Sequence, residues 1–201
     1  MKNIIMIGIL LLFRYSSYAQ NSPSVSLGYW ADFGILPGVK VGVEYPILIG
    51  TVEKEKQRKR KKKEPKIRTI RNKHELLGGF SLGYTPLLNQ HRLFFNLEVG
   101  YRITRKHGWF FDAWIGCAYE NFVNTGKTFK VDDSGTVSKV PLASRGYVSP
   151  NLGIGFGYDF TQRLDFPMTV YTRILPAFRL GYNNVSAVTS VYLDAGVSYK
   201  F

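Results

Sequence analysis

Few side chains in this chain have the type and spacing to do chemistry. The three histidines, His74, His91 and His107, are scattered, and the single cysteine is Cys117. Structural and catalytic metals need several ligands at short, regular spacings, so no metal site is expected. A hydrolytic nucleophile needs a base within hydrogen-bond reach. Ser81 falls on the polar side of the stretch after His74, but no His–Ser spacing here suggests a hydrolase, and no catalytic residue is assigned. Asn124-Thr-Gly-Lys-Thr128 has the tail of a phosphate-binding loop, yet Asn121 stands where its first glycine belongs. Val131-Asp-Asp-Ser-Gly135 offers two carboxylates, fewer than a calcium loop requires. Both read as turns, the second as the tip of a hairpin. No cofactor is expected.

Charge is the more conspicuous feature. The chain carries a formal +13. Residues 51–73, TVEKEKQRKRKKKEPKIRTIRNK, hold twelve Lys or Arg against three Glu. Lys54, Lys56, Arg58, Lys59, Arg60, Lys61, Lys62, Lys63 and Lys66 form the densest part and are the candidate contacts for an anionic partner. That partner could be lipopolysaccharide phosphate, or an acidic polymer or protein of the cell envelope. Self-repulsion in a solvated loop is the simpler reading. Nucleic acid is not expected, because no aromatic side chain is interleaved between Lys54 and Lys73 for a base to stack on.

These residues are positioned by a chain that alternates nearly everywhere. Eight stretches place apolar or aromatic residues at every second position, the signature of strands: Ser24–Phe33, Gly38–Leu48, Glu75–Thr85, His91–Thr104, Trp109–Val123, Gly146–Phe160, Phe166–Tyr182 and Val191–Phe201. The sides opposite the apolar ones mix glycine with charge. Lys40, Glu44, Glu98, Arg102, Asp112, Glu120, Asp159, Arg173, Arg179 and Asp194 all fall there. Ala31, Phe33, Cys117 and Tyr182 fall on the apolar sides. Pro176 interrupts the seventh stretch and predicts a bulge or local break, since proline cannot donate to a ladder.

Most stretches reach the ~9–11 residues that a tilted strand needs to cross a bilayer. Soluble sandwiches use shorter strands, about 5–6 residues. Aromatics gather near strand ends: Tyr45, Tyr84, Tyr101, Trp109, Tyr158, Phe160, Phe166, Tyr182 and Tyr199. Interfacial girdles of membrane barrels lie at such positions. The chain opens with Lys2, an apolar run from Ile4 to Phe13, and Ser17-Tyr18-Ala19, which reads as a cleaved export signal over residues 1–19. No segment has ~18 consecutive apolar residues, as a membrane helix would. The expectation is an all-β chain, an eight-stranded antiparallel transmembrane β-barrel with a side-chain-filled interior over residues 20–201. A soluble barrel or sandwich with the apolar side turned inwards is the alternative.

With these features the chain resembles the small Gram-negative outer-membrane β-barrels of the OmpA/OmpX-like superfamily. The final strand VYLDAGVSYKF carries the resemblance furthest. Leu193, Ala195, Val197, Tyr199 and Phe201 are similar to the signal read by the outer-membrane barrel assembly machinery. The resemblance implies a location in the outer membrane, in contact with its lipid, and both termini in the periplasm. Arg105–Gly108 and Thr161–Asp165 would then be periplasmic turns. Thr85–Gln90, Asn124–Arg145 and Asn183–Thr189 would be extracellular loops, and the segment 51–73 an unusually long connection, periplasmic by parity, or a long extracellular hairpin if Ser24–Phe33 is not a membrane strand. It implies no activity, since such barrels serve many ends. A structural or interaction role is expected, with a lipid-modifying enzyme as the alternative.

Overall fold

The structure is a computed structural model that describes residues 22–32, 36–60, 63–126, 128–132, 134–140, 143–181 and 187–201, with residues 54–60 and 63–71 described by their backbone alone. Among the described residues ten strands and one helical turn follow in order: β1 (Ser24–Asp32), β2 (Leu36–Arg60), β3 (Lys63–Leu87), β4 (Gln90–Arg105), β5 (Trp109–Asn124), β6 (Thr128–Val131), β7 (Val137–Val140), β8 (Ser144–Asp159), α1 (Thr161–Leu164), β9 (Met168–Leu180) and β10 (Ala187–Lys200). Eight of them close into one antiparallel barrel in the order β1-β10-β9-β8-β5-β4-β3-β2. The small ribbon β6–β7 stands apart.

Closure is made at β1, which pairs with β2 on one side and with β10 on the other, Ser24 facing both Glu44 and Lys200. Full closure leaves no unpaired edge in the wall, which is the condition for a sheet to sit in hydrocarbon. Both ends of the barrel chain therefore lie at one rim, here called the terminal end. The turn Arg105–Gly108 and the turn containing α1 lie at the same rim; Gly108 (φ +90) closes the first and Asp165 (φ 52) ends the second.

Alternation turns the barrel inside out relative to a soluble protein. Leu97 and Ile115 are each 63% exposed and Ile154 is 57% exposed, whereas Lys40 and Arg173 are 2% exposed and Asp112 is fully buried. Apolar side chains cover the outside of every barrel strand, including the exposed Cys117. The charged side faces inwards, so the soluble alternative with an apolar interior does not hold. An apolar surface of this extent is not stable in water and requires lipid as its solvent.

Glycine makes room in the narrow interior. Inward-facing large residues sit beside inward-facing glycines on the neighbouring strand: Gly83 opposite Phe94, Gly100 opposite Trp114, Gly157 opposite Phe110 and Gly155 opposite Asp112. A Cβ on Gly100 would lie 2.3 Å from the Trp114 ring, and one on Gly83 would lie 2.1 Å from the Phe94 ring. The mixture of glycine with bulky residues on the polar side is thus a packing device for an eight-stranded lumen.

Four expectations are corrected. The segment 51–73 is not a loop. β2 and β3 continue beyond the wall as one paired hairpin, Thr51 facing Lys73 and Arg58 facing Lys66. Its strands lack an apolar side because they have left the membrane, so hydrophobic alternation stops where the ladder does not. Pro176 causes no bulge: it faces Val191 in unbroken register with β10, and the register to β8 is the same at Asn151–Ala177 and Ile154–Ile174. Register shifts lie instead between β2 and β3: after Pro46, where Ile47 is extra between the pairs Pro46–Leu77 and Leu48–Leu76, and beyond the wall between the pairs Arg58–Lys66 and Arg60–Lys63. Thr85–Gln90 shortens to a tight turn at Leu88-Asn89, because β3 runs to Leu87 and β4 starts at Gln90. Ala31, on the apolar side, is fully buried, at a position whose cross-strand partners are the larger Pro37 and Leu193. Phe33, Tyr182, Lys61, Lys62, and the export signal 1–19 lie outside the described residues.

Candidate functional site

The lumen is the most organised chemical environment in the molecule. In the half nearer the terminal end, two arginines and two carboxylates form a ring of contacts. Arg173 donates from Nη2 to Glu44 Oε1 at 2.5 Å and to Asp112 Oδ2 at 3.3 Å. Arg102 donates from Nη2 to Glu44 Oε2 and to Asp112 Oδ2, both at 3.0 Å. These residues come from β9, β2, β5 and β4, so the ring ties the wall across the lumen. Lys40 donates to Asp194 above it, joining β2 to β10 past the closing strand β1. Arg173 also lies 3.8 Å from Glu98 and 3.9 Å from Asp194. Asn151 on β8 donates to Asn96, which donates to Glu98, extending the network around the wall.

Towards the far end a second cluster forms. Arg179 Nη2 donates to Asp32 Oδ2 at 2.5 Å, and its Nε donates to Glu120 Oε2 at 3.0 Å. Arg92 donates to the same Asp32 oxygen at 2.8 Å and to Thr85 Oγ1 at 3.1 Å. The Tyr192 hydroxyl accepts from Arg179 and donates to Glu120 at 2.6 Å. At the terminal rim Lys200 pairs with Asp159 at 2.5 Å, and Lys73 with Glu75 at 2.7 Å.

Aromatic rings fill the space between the charges. Trp30 lies between Phe94 and Tyr192, with ring centroids 4.6 and 4.7 Å away. With Leu175 and Ala177 these three form a buried apolar plug inside a charged lumen. Guanidinium groups lie over rings as well, Arg173 at 4.3 Å from the Trp114 centroid and Arg102 at 4.4 Å from that of Phe110. Burying an ion costs several kcal/mol unless good geometry and further hydrogen bonds offset it. Here each arginine meets two or more oxygens and a ring face, which is the arrangement that offsets it best.

Sequence reasoning missed several of these partners. Asp32 and Arg92 were not singled out because they sit at strand ends, although each keeps the parity of the inward residues Trp30 and Phe94. Glu75 was missed at the start of its stretch. Tyr192 shares the inward parity of Asp194, but nothing in its type announces that it bridges Arg179 to Glu120.

The remaining candidates lie elsewhere. Val197, Tyr199 and Phe201 face outwards at the terminal end, at 43%, 48% and 68% exposure, with Leu193 and Ala195 half-buried on the same side of β10. Tyr199 stacks edge-on with Phe201, and Trp109 with Tyr158, so aromatics gather at this rim. Lys54, Lys56, Arg58, Lys59, Arg60, Lys63 and Lys66 are placed by their backbones on the hairpin beyond the wall. His74 Nδ1 meets the Tyr101 hydroxyl at 2.6 Å, and His91 Nδ1 meets that of Tyr84 at 2.7 Å. Ser81 is buried on the lumen side. Asp132 and Gly135 close the tip of the β6–β7 hairpin, Gly135 N–H donating to Asp132 O at 2.8 Å.

The same architecture occurs in a solved structure. The chain superposes on the N-terminal β-barrel domain of Pseudomonas aeruginosa OprF with a TM-score of 0.56 and 16% identity, over 90% of this chain and 98% of that one. The chain has the fold of an outer-membrane β-barrel. Weaker matches are to Neisserial surface protein A (TM-score 0.45, 12% identity, covering 90% of this chain and 96% of that one) and to the outer membrane enzyme PagL (TM-score 0.39, 12% identity, 89% and 98%). No protein-family model matches this barrel. A stretch of 72 residues is 35% identical to an uncharacterized protein of Coxiella burnetii, covering 34% of this chain and 27% of that protein, so the match spans about a quarter of the relative's length.

Proposed function

We propose that the barrel has a structural or interaction role in the bacterial outer membrane, exerted at its two ends and not through its lumen. Residues 1–19 act as a removable export signal, and the outward alternate positions of β10, ending at Phe201, serve as the signal to the barrel assembly machinery. The observation that carries this reading is the ring of Arg173, Arg102, Glu44 and Asp112 across the interior, with Trp30, Phe94 and Tyr192 packed beyond it. Such a lumen is a rigid polar core. Aqueous channels of diffusion porins are found in barrels of about sixteen strands or more.

The parts free to meet partners are the β6–β7 ribbon at the far end and the basic hairpin at the terminal end. A lipid-modifying enzyme is the alternative, and a changed lipid A profile in a strain lacking the protein would favour it. Reconstitution of the purified barrel into planar bilayers tests the closed lumen. The expected outcome is a flat baseline under applied voltage; reproducible stepwise conductance contradicts it.

A further inference from the structure

A cleft of about 470 Å3 opens at the terminal mouth of the lumen. Register places its walls. Thr51 on β2 faces Lys73 on β3, and Lys73 faces Thr104 on β4, one rung across three strands. All three keep the inward parity, since Lys73 alternates with the buried Glu75 and Thr104 with the buried Arg102. Glu53 is the next inward position of β2, one step further out. The turn residues Arg105 and Lys106 and Gln162 of α1 complete the lining. α1 belongs to the connection from β8 to β9, which stand opposite β2 and β3 in the ring. The cleft therefore spans the mouth, behind the wall and away from lipid. Its floor is closed two residues further in, where Arg102 donates to Glu44 and Asp112.

Donors dominate this lining. Lys73, Arg105 and Lys106 stand against one carboxylate, Glu53, which is itself engaged. Glu75 lies 2.7 Å from Lys73 and offsets a second cation, so these five residues together keep one positive charge. The other charges described at this rim cancel: Lys200 pairs with Asp159, and Arg163 and Asp165 share the α1 turn. Ammonium and guanidinium groups donate and do not accept. Thr104 is the decisive residue. It is 2% exposed, and its Oγ1 has no hydrogen-bond partner among the described residues. A hydroxyl buried without a partner costs stability, and this one borders a cleft lined by cations.

The geometry points to this cleft as a binding site for a small, soluble phosphate ester. An oxyanion supplies the acceptors that the lining lacks. Donors border the cleft on three sides: Thr104 at the floor, Lys73 on the wall, and Arg105 and Lys106 on the turn. A tetrahedral phosphate presents oxygens to all of them, whereas a carboxylate presents two oxygens in one plane. The volume exceeds that of a bare phosphate group and falls in the range of small-molecule pockets, so an organic remainder fits beside it. The position behind the wall selects a solute over a lipid headgroup. The inference goes beyond the role proposed above and rests on it in one respect, that the lumen is closed below the mouth.

Isothermal titration calorimetry of the full chain in detergent tests it, with glycerol 3-phosphate, glycerol, succinate and micellar phosphatidylglycerol offered in turn. The expected result is saturable binding of glycerol 3-phosphate, weaker binding of succinate and phosphatidylglycerol, and none of glycerol. Arg105→Gln with Lys106→Gln should weaken glycerol 3-phosphate by about tenfold or more, as loss of hydrogen bonds from charged groups does. Thr104→Val should weaken it by about threefold or more and, since it removes a hydroxyl that has no partner, should keep the fold. Arg145→Gln, at the far end of the barrel, should change nothing. No binding of glycerol 3-phosphate, equal or tighter binding of glycerol, succinate or phosphatidylglycerol, or unchanged affinity in either the Thr104 variant or the double variant overturns the inference. Heat-dependent gel migration of the same samples separates loss of the fold from loss of the site. A chain that shows no shift contradicts the barrel itself, and stepwise conductance in planar bilayers contradicts the closed lumen; a chain that shifts, does not conduct and does not bind contradicts the phosphate site alone.

Discussion

Arg173 is the residue on which the interior turns. Its guanidinium is buried and meets Glu44 and Asp112 while lying over Trp114. Removing it leaves the buried Glu44 and Asp112 to share Arg102 alone. Arg173→Met should therefore destabilise the barrel by ~3–5 kcal/mol, the range found when one partner of a buried ion pair is deleted. Urea titration of the refolded protein, followed by loss of heat-dependent gel migration, measures it. The double variant Arg173→Met/Glu44→Gln should recover part of the loss; equal losses in both would mean that the pairing with Glu44 contributes nothing. The inward position of Arg173 can be read from alternation with Tyr171. Its partners cannot, because they lie on β2 and β5 and are set by the closure and stagger of the barrel. Asp32 and Arg92 show the complementary limit: parity would have placed them inside, but a pattern read from strand centres stops short of strand ends.

At the scale of the element, the long β2–β3 hairpin separates what a strand is from what a membrane strand looks like. Leu36–Leu48 alternates because lipid lies on one side of it. From Thr51 to Arg60 the same ladder continues in water, with charge on both sides, and nothing in hydrophobic periodicity reveals it. The bulge at Ile47 was equally hidden, since Pro46 is inward and buried and the residues around it keep an apolar appearance. At the terminal rim the connections are the short turns Arg105–Gly108 and the single turn around α1, whereas the far end carries the longer excursion with β6 and β7. Short turns mark the periplasmic side of outer-membrane barrels and longer loops the outside, so by its two short turns the terminal rim, and with it the long basic hairpin, is expected in the periplasm. Trypsin added to intact cells should leave the Lys/Arg sites between 54 and 73 uncut and should cut them once the outer membrane is permeabilised. Cleavage there in intact cells would reverse the orientation.

At the scale of the whole molecule, the barrel is held by two opposite solvents. Lipid accepts Leu97, Ile115 and Ile154 on the outside, and a paired, ring-packed network occupies the inside. Fold class was legible because one physical constraint, alternate faces in unlike media, repeats in every strand. Function was less legible because the same constraint is met by barrels of many kinds, and only the ends of the molecule are free of it. The three tryptophans provide the most direct measurement. Trp109 faces outwards at 56% exposure, while Trp30 and Trp114 face the lumen at 3% each. In variants that keep one tryptophan and replace the others by Phe, reconstituted in vesicles containing brominated phospholipid, Trp109 fluorescence should be strongly quenched and Trp114 fluorescence should be protected. Quenching of Trp114 with protection of Trp109 would contradict the account, because the charged side of the wall would then face lipid and the apolar side the interior.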